Sequence, residues 1–599
     1  MEFMSETSRR SFLRSTSAAV LTAKTMRGNS RERIREFDYA AVKLTGGPLK
    51  DQFDRIYTSY IGLNNDRLLK VYRQRAGLPA PGKDMGGWYD ADGFVPGHSL
   101  GQYISGLARY ARSAGDSAAY TKVAALVDGF AATLGPNGYP FASKKAAATW
   151  PCYILDKYEI GLLDAYNLAH VAQAKDLLAR VIYGSIPSIP DHTYDRGPNS
   201  PKQAPYDEPY ILPENLFNSY ELTGDRKFFE MGRTYLLNDA YFDPLARGEN
   251  ILPGKHAYSH VIALSSAAKA YEVLGDRKYL AAIRNAWDML ADTQQYASGG
   301  WGPKETFVPP HEGKLAQSLT TTHDHFETPC GCYAQFKLAR YLLRFTGDAR
   351  YGDGLERVLY NTILGARDPD GNGDFFYYSD YHAGAQKGYY HAKWPCCSGT
   401  LVQAVADYGI NSYFRSDDGL YVNLFTPSEV RAANGVRVIQ TTDYPRTGDI
   451  ELRIAASAPV IFSLYIRVPG WLERPAHIDI NGKRFDGAAQ PQSFARIHRT
   501  WRNNDTVHVS FPLRVRTEPI DDRNPGMVAV MRGPLMMVAV NPPADIASTA
   551  LALPQALQPT ADPMSLQYDL GTQKVEFKPF YLIRNESYNT YFASLAYKL

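Results

Sequence analysis

Residues 267–290 read AAKAYEVLGDRKYLAAIRNAWDML, and this stretch holds the pattern that organises the first two-thirds of the chain. One helical apolar pattern ends at Gly275, Asp276 follows, and a second helical pattern begins at once. Glycine often ends a helix in the left-handed conformation, and aspartate often caps the next helix. The pair therefore predicts a helix–turn–helix corner. The same pair recurs at Gly115-Asp116, Gly224-Asp225 and Gly347-Asp348.

The spacing of these corners indicates how the helices are arranged. The four glycines are 109, 51 and 72 residues apart, so each interval accommodates one or two helix pairs. An open solenoid would need a shorter and more constant period. We therefore predict a closed α/α toroid whose long loops gather at one mouth.

The period changes from helical to strand-like at about Gly419. Residues 420–425 and 460–468 are strand-like runs, and residues 506–511 alternate with period two. Turn residues such as Asn481-Gly482 separate these runs at short intervals, which is typical of a β-sandwich. The sequence thus predicts a multidomain α + β protein. The expected divisions are an N-terminal signal and disordered region at 1–36, the helical barrel at 37–418 with a first strand near 40–45 that joins the sandwich, the β-sandwich at 419–545, and a further β-rich segment at 546–599.

The N-terminus has the form of an export signal. Arg9 and Arg10 form a twin-arginine pair, and residues 15–23 are small and weakly apolar. Twin-arginine signals are addresses for export from the bacterial cytoplasm, which predicts a periplasmic or secreted protein. No later segment reaches about 18 uninterrupted apolar residues, so a membrane-spanning helix is not expected.

The overall composition is that of a globular protein. The chain has 599 residues, of which 44% are hydrophobic and 21% charged, enough for a sizeable core and for three or four domains. The 65 Lys and Arg residues against 62 Asp and Glu give a net charge of only +3, so no nucleic-acid partner is expected. The 42 Tyr residues suit hydroxyl-rich ligands such as carbohydrates, although they also suit cores and sheet faces.

The chemistry of the chain concentrates in its cysteines. Four of the five lie in two short segments, Cys330 with Cys332 and Cys396 with Cys397, whereas Cys152 stands alone as an expected core residue. One or two disulfides are the alternative interpretation, but neighbouring cysteines bridge each other only with strain. Clustered thiolates with a carboxylate nearby suit Zn²⁺. Two ligand sets are open: the four clustered cysteines, or Glu327 with Cys330, Cys396 and Cys397.

A series of motifs in one order resembles a known family. The motifs are residues 97–108 (GHSLGQYISGLA), the pair Glu208 and Glu214, His256, residues 299–302 (GGWG), Glu327 with Cys330, residues 355–361 (LERVLYN), Cys396-Cys397, and residues 419–424 (GLYVNL). Together they resemble glycoside hydrolase family 127, the β-L-arabinofuranosidases, over roughly residues 44–540.

The resemblance implies an (α/α)6 barrel with β-sandwich domains. It also implies an exo-acting, retaining hydrolase that removes terminal arabinofuranosyl or related sugars through a zinc-bound cysteine. Matched by position, Cys396 would be the nucleophile, and Glu327, Cys330 and Cys397 the remaining metal ligands. Glu305 matches the family's Glu-x-Phe motif and would be the acid/base, with Glu312 as the alternative.

The resemblance also implies a set of substrate contacts, in which this chain departs from its relatives. Gln102 and Asp156 stand where relatives carry histidine, which indicates a different sugar or linkage. The spacing Glu327-Thr328-Pro329-Cys330 is one residue longer than usual, so His323 or His325 could replace Glu327 as a ligand, while Cys332 would lie beside the metal. The expected substrate-binding residues are His98, Gln102, Asp156, Glu208, His256, Tyr378 and Trp394.

Two other functions remain open from the sequence. The first is a polysaccharide lyase built on the same toroid-plus-sandwich plan, and the second is a glycan-binding relative without catalysis. Each shares the expected carbohydrate partner, and a homodimer is compatible with all three.

Overall fold

The fold was analysed in a computed structural model of the chain. It describes residues 31–196, 207–366, 375–390, 393–432, 435–571 and 573–597. The twin-arginine segment lies outside the described residues. Within these ranges, no helix combines the length and the apolar character needed to cross a bilayer.

Helices are the main elements of the described residues between 47 and 412. Their bounds are Gly47–Ile61, Asn65–Arg75, Leu100–Ala114, Ser117–Ala131, Lys144–Thr149, Pro151–Asn167, Ala174–Ser185, Pro213–Thr223, Arg226–Thr234, Asp243–Ala246, Ala257–Leu274, Arg277–Thr293, Lys314–Thr321, Thr328–Thr346, Arg350–Asn361, Cys396–Ala406 and Tyr408–Ser412.

The four predicted Gly-Asp corners are helix–turn–helix corners in the structure. Each glycine ends its helix with a positive φ, between 67° at Gly115 and 81° at Gly275, where a Cβ would strain the backbone. In the corner at Gly275, the Asp276 side chain accepts a hydrogen bond from the backbone N–H of Lys278 at 2.9 Å. The predicted pattern is therefore confirmed at the level of individual caps.

Six helices form a closed inner ring, and each contacts the next around the circle. The last of them contacts the first, which closes the ring. A second set of helices packs outside the ring. Each of these outer helices returns the chain to the end of the barrel where the inner helices begin. The inner helices are Leu100–Ala114, Pro151–Asn167, Pro213–Thr223, Ala257–Leu274, Thr328–Thr346 and Cys396–Ala406. The predicted α/α toroid is confirmed.

Two sheets make up the β-sandwich that follows the barrel. The five-stranded sheet has the order Arg35–Glu36, Tyr413–Arg415, Gly419–Val422, Val460–Val468, Ser493–Trp501. The seven-stranded sheet has the order Lys483–Arg484, His477–Ile480, Thr506–Ser510, Asp449–Ala455, Arg437–Thr442, Ser428–Arg431, Val42–Leu44. Strand Val42–Leu44 thus comes from the N-terminal side of the barrel and pairs with Ser428–Arg431.

A third sheet crosses residue 545, where the sequence suggested a division. Its strands on the N-terminal side of that position pair with strands beyond it, so this β unit begins near residue 515 and not at 546. The strands are Val515–Pro519, Met527–Arg532, Leu535–Val540, Gln558–Pro559, Leu566–Asp569, Lys574–Pro579, Tyr588–Asn589 and Tyr591–Ala593. Two short ribbons complete the fold: Phe326–Glu327 pairs with Tyr378–Ser379, and Phe375–Phe376 pairs with Tyr389–Tyr390.

A fully buried arginine joins the sandwich to the barrel. Arg467 lies on strand Val460–Val468, and its guanidinium pairs with Asp353 and, at 2.7 Å, with Glu356 of helix Arg350–Asn361. It also donates to the backbone carbonyl of Asn423 at 2.6 Å. Burial raises the pKa of Asp353 to about 6, although Arg467 opposes that shift. The sandwich and the barrel therefore share an ionic network in which Arg467 is the cation for two carboxyl groups.

Replacement of this cation should destabilise the folded protein. We expect Arg467→Met to lower the free energy of unfolding by about 3–5 kcal/mol, because two buried carboxyl groups would lose their partner. Chemical denaturation followed by circular dichroism measures the change. As a control, Arg496→Met removes an exposed arginine from the same sheet, where the ion pair with Asp418 is solvated, and should cost less than about 1 kcal/mol. Equal losses in the two variants would contradict the role of the buried network.

Candidate active site

A cavity opens at the end of the barrel where the inner helices begin. It has a volume of about 600 Å³. The lining residues are Trp88, Phe94, Val95, Thr149, Trp150, Tyr153, Arg196, Glu208, His256, Tyr258, Glu305, Glu327, Tyr377, Tyr378, Tyr390, Pro395 and Cys396.

The starts of several inner helices place polar or reactive groups at this cavity. Cys396 is the first residue of helix Cys396–Ala406, and Glu327 directly precedes helix Thr328–Thr346. His256 is the N-cap of helix Ala257–Leu274, with its side chain accepting from the backbone N–H of Ser259. Because a helix start carries partial positive charge, this end of the barrel favours anionic groups such as a thiolate or a carboxylate.

Three cysteines and one glutamate form a compact buried cluster. The Sγ atom of Cys396 lies 3.2 Å from Oε1 of Glu327, and the Sγ of Cys397 lies 3.7 Å from the same oxygen. The Sγ atoms of Cys397 and Cys330 are 3.3 Å apart. One donor atom from each of the four residues lies within 4.8 Å of the others. We call these four residues the Glu–Cys₃ cluster.

The four residues of this cluster differ in how readily they lose a proton. Burial raises the pKa of the Cys396 thiol, but hydrogen bonds to its sulfur from Cys330, Cys397 and Tyr377 outweigh that effect and hold the pKa well below its ordinary value. Burial and the charge on Cys396 raise the pKa of Glu327 well above its usual range. Burial also raises the pKa values of Cys330 and Cys397. Cys396 is therefore the cluster member that carries the negative charge most readily.

The donor set fits a soft divalent metal ion. Three thiols and one carboxylate are buried together, with one donor atom of each within 4.8 Å of the others, and such ligands favour metals such as zinc. The second carboxylate oxygen of Glu327 is buried without a hydrogen-bond partner. A buried oxygen of this kind is costly unless a proton or cation satisfies it. Of the two ligand sets that the sequence left open, the geometry assembles the one that includes Glu327.

Two consecutive tyrosines connect this cluster to Glu305. The hydroxyl of Tyr377 lies 3.2 Å from Cys396 Sγ, 3.0 Å from Glu327 Oε1 and 3.3 Å from Glu305 Oε1, and its single proton can be donated to one of the three at a time. The hydroxyl of Tyr378 also donates to Glu305 Oε1. One hydroxyl thus reaches the thiol, the carboxylate of the cluster and a second carboxylate.

The backbone around Glu305 is strained in a way that aims its side chain at the cavity. Lys304 and Glu305 have φ values of 55° and 58°, a left-handed conformation that is unfavourable for side chains of this size. Burial raises the pKa of Glu305, but the hydrogen bond and charge of His256, together with the Tyr378 hydroxyl, lower it below its ordinary value. Strain of this kind at a cavity wall is typical of functional residues.

A second polar group extends from Glu305 across the wall. His256 Nε2 lies 3.2 Å from Glu305 Oε2, and its Nδ1 lies 3.7 Å from Glu208 Oε1. Glu208 in turn forms an ion pair with Arg196. Of the substrate contacts expected from the sequence, Glu208, His256 and Tyr378 thus border the cavity.

The other four expected contacts lie behind the wall. His98 is fully buried, with Nδ1 2.7 Å from the carbonyl of Val95, and burial lowers its pKa to about 4. Gln102 donates to Gln403 at 3.3 Å, and Asp156 accepts from Asn215 at 2.8 Å. Trp394 packs edge-on against Tyr60 and Tyr103. Among the residues that the structure describes, none of these four is part of the cavity lining.

The residues considered as alternatives are also separated from the cluster. His325 is buried against Asp380, and His323 is largely exposed beside the same aspartate. Glu312 is exposed and does not border the cavity. Cys332 contacts Thr362 at 2.9 Å on another side of its helix, and burial raises its pKa to about 12.

Several wall residues were not singled out from the sequence. Tyr153, Tyr258 and Trp150 lie within or beside helical apolar patterns, where aromatic residues usually indicate core packing. One usable signal was the Trp150-Pro151 pair at a helix start, which matches Trp394-Pro395 before the cysteine pair. Arg196 lies in a polar loop and carried no signal of its own.

Comparison with family models identifies the two main parts of the chain. The model of the GH127 catalytic domain of β-L-arabinofuranosidases matches residues 41–410. The model of the GH127 middle domain of the same enzymes matches residues 419–513. No curated protein gave a significant sequence match to this chain.

Solved structures share the whole fold at low sequence identity. A GH127 β-arabinofuranosidase is 20% identical with a TM-score of 0.73, over 94% of this chain and 98% of that one. A GH127 β-L-arabinofuranosidase from Geobacillus stearothermophilus T6 is 18% identical with a TM-score of 0.69, over 92% of this chain and 100% of that one. A third structure, described as a glycoside hydrolase, is 15% identical with a TM-score of 0.69, over 94% and 98% of the two chains.

The Glu–Cys₃ cluster predicts which cysteine is needed for metal binding. We expect Cys330→Ser to lose most of the bound divalent metal, because the variant removes a thiolate from the donor set. Cys332→Ser is the matched control, since this cysteine lies two residues away in the same helix and contacts Thr362 instead. Elemental analysis of the purified proteins, with circular dichroism to confirm folding, measures both. Equal metal content in the two variants would show that Cys330 is not a ligand.

Proposed function

Because the chain belongs to glycoside hydrolase family 127, we propose that it removes terminal β-L-arabinofuranosyl or related sugars with retention of configuration, using Cys396 as nucleophile and Glu305 as acid/base. The observation that carries this proposal is the position of the Tyr377 hydroxyl. It lies within hydrogen-bond reach of Cys396, Glu327 and Glu305 in one cavity. The family is one of hydrolases, which separates the chain from the lyase and the non-catalytic alternatives.

The Glu–Cys₃ cluster supports a zinc site in this proposal. Glu327, Cys330, Cys396 and Cys397 would hold the ion, and a bound Zn²⁺ would keep thiolates deprotonated at neutral pH. The chain's own contribution is the position of Cys396 at a helix start and beside the Tyr377 hydroxyl. Both features favour the thiolate form of this residue.

The arrangement of Glu305 supports its role as acid/base. Retaining glycosidases place the nucleophile and the acid/base roughly 5 Å apart on opposite sides of the scissile bond. A single hydroxyl bridges Cys396 and Glu305, which is compatible with such a separation. His256 and Tyr378 stabilise the carboxylate form of Glu305, whereas burial and the charge on Cys396 favour the protonated form. The net lowering of the pKa favours the carboxylate form, which is the form that takes a proton from water in the second step.

The proposed reaction has two displacement steps. In the first, the Cys396 thiolate forms a bond to the anomeric carbon while the bond to the leaving-group oxygen breaks, and the proton of Glu305 passes to that oxygen. In the second, water attacks the anomeric carbon, Glu305 takes the proton of the water, and the C–S bond breaks to return the thiolate. Two inversions give net retention.

The place of action is part of the same proposal. The twin-arginine sequence at Arg9 and Arg10 would export the folded protein to the periplasm or beyond. A soft-metal site supports this route, because a metal can be inserted before the folded chain is exported.

Removal of the nucleophile should abolish turnover. We expect Cys396→Ala to lower kcat/KM on an aryl β-L-arabinofuranoside by at least about 10³-fold, since the covalent intermediate cannot form. Intact-protein mass spectrometry after rapid quenching should show a glycosyl adduct on the wild type and none on the variant. Cys152→Ala replaces a buried cysteine outside the cluster and should keep both the turnover and the adduct. An adduct on a carboxylate residue would overturn the assignment of Cys396.

The acid/base role predicts a dependence on the leaving group. We expect Glu305→Gln to slow hydrolysis of an alkyl glycoside by about 10²–10⁴-fold, because the leaving alkoxide needs a proton. A nitrophenyl glycoside needs less assistance, so its first step should be slowed much less. Glu312→Gln is the control, because this exposed glutamate does not border the cavity. Steady-state kinetics on the two substrates measures the effect, and an equal loss on both would exclude an acid role.

A further inference from the structure

Three aromatic side chains pack on one another in one part of the cavity wall. The rings of Trp88 and Phe94 are 4.8 Å apart at 62°, and those of Phe94 and Trp150 are 5.9 Å apart at 63°. We call these three residues the aromatic rim. Phe94 is 49% exposed, and of the large apolar side chains described as exposed it is the one that borders this cavity. An exposed aromatic ring at a cavity is costly unless a ligand covers it.

The aromatic rim begins beside the reacting groups and runs toward solvent. The Trp88 ring is 6.3 Å from the ring of Tyr377, whose hydroxyl contacts Cys396 and Glu305. Cys396 is only 7% exposed, in contrast to Phe94. In an exo-acting glycosidase the terminal sugar occupies the closed end of the pocket, and the leaving group points toward the opening. The aromatic rim is therefore on the path of the leaving group.

The chemistry of the rim favours an apolar and uncharged ligand. Two polar lining residues adjoin the rings: Thr149, next to Trp150 in sequence, and Arg196, whose guanidinium lies 5.5 Å from the centre of the Trp150 ring. The charge of Arg196 is matched by its ion pair with Glu208. Among the lining residues that the structure describes, these two groups supply few of the donors and acceptors that the hydroxyls of a second sugar need. Aromatic rings, by contrast, pair well with another aromatic ring.

The loop that carries the rim is held in place before any ligand arrives. The backbone N–H of Trp88 donates to the carbonyl of Lys393 at 2.9 Å, three residues before Cys396. A Cβ at Gly87 would lie 2.0 Å from that carbonyl, so only glycine permits this approach. Val95 N–H donates back to the carbonyl of Trp88 at 3.2 Å and closes the loop. A preorganised aromatic surface binds its ligand with little ordering cost.

We propose that the aromatic rim is the leaving-group subsite of this enzyme and that it binds a neutral aromatic aglycone, so that the natural substrates include glycosides of phenols. This inference rests on the proposed glycosidase function, whose reacting groups define the direction of the leaving group. The inference goes beyond the proposed function by naming the chemical class of the leaving group.

Kinetics on two glycosides of the same sugar tests the proposal. With a phenyl glycoside, Phe94→Ala should lower kcat/KM by about 3- to 10-fold through KM, which corresponds to the loss of one aromatic pair. With the methyl glycoside the same variant should lose clearly less, because a methyl group offers no ring to pair with Phe94. Because each variant is compared with the wild type on one substrate, the difference in leaving-group acidity cancels. Phe94→Leu should behave like Phe94→Ala, since it keeps bulk but loses the ring. Leu78→Ala removes a similarly exposed apolar side chain away from the cavity and should change neither substrate.

Direct binding separates this proposal from the proposed function. Calorimetric titration of Cys396→Ala with 4-nitrophenol should give a dissociation constant that rises several-fold when Phe94→Ala is added. If the wild type hydrolyses neither glycoside but this difference in binding is found, the proposed function fails and the aromatic subsite stands. If hydrolysis proceeds but Phe94→Ala changes the phenyl and methyl glycosides equally, or leaves 4-nitrophenol binding unchanged, the subsite assignment is overturned.

Discussion

The return of the chain through an outer helix after each inner helix is the constraint on which the active site depends. The chain runs along the barrel in an inner helix and runs back in the outer helix that follows. All six inner helices therefore begin at the same end of the barrel. The segments that precede those starts meet around one cavity. Cys396, Glu327 and His256 are far apart in sequence, yet each stands at such a start. Parallel helix starts also supply partial positive charge where the site must hold anions.

Within that frame, the site depends on groups that cannot all be charged at once. Glu327 and three cysteines share one small, dry volume with Glu305 close by, so ionisation of one group raises the pKa values of its neighbours. A divalent cation at the Glu–Cys₃ cluster would relieve this conflict, and His256 lies 3.2 Å from Glu305 on the other side of the cavity. The Tyr377 hydroxyl lies between the cluster and Glu305 and is within hydrogen-bond distance of both.

Features that depend on the local spacing of residues could be predicted from the sequence. The distance of a side chain from the cavity surface could not. The Gly-Asp corners and the change of period near residue 419 are local signals, and the structure confirms both. Glu305 and Glu327 were singled out through the motifs that resemble the family, and both border the cavity. By contrast, residues 102 and 156 lie one layer behind the wall, and no single-sequence pattern distinguishes a side chain that lines a cavity from one packed behind it. The pairing of Leu535–Val540 with Lys574–Pro579 across residue 545 was missed because strands so far apart in sequence leave no local sign of their pairing.

The buried position of these two residues changes what their substitution means. A histidine replaced by Gln102 or Asp156 at the wall would change contacts with the sugar directly. Behind the wall, the replacement acts through what it supports: Gln102 contacts Gln403 in the helix that begins with Cys396, and Asp156 holds Asn215 near the start of another inner helix. A substitution at such a position would therefore change where the helix starts stand relative to one another. Because Cys396, Glu327 and His256 all stand at helix starts, such a change would alter the shape of the pocket.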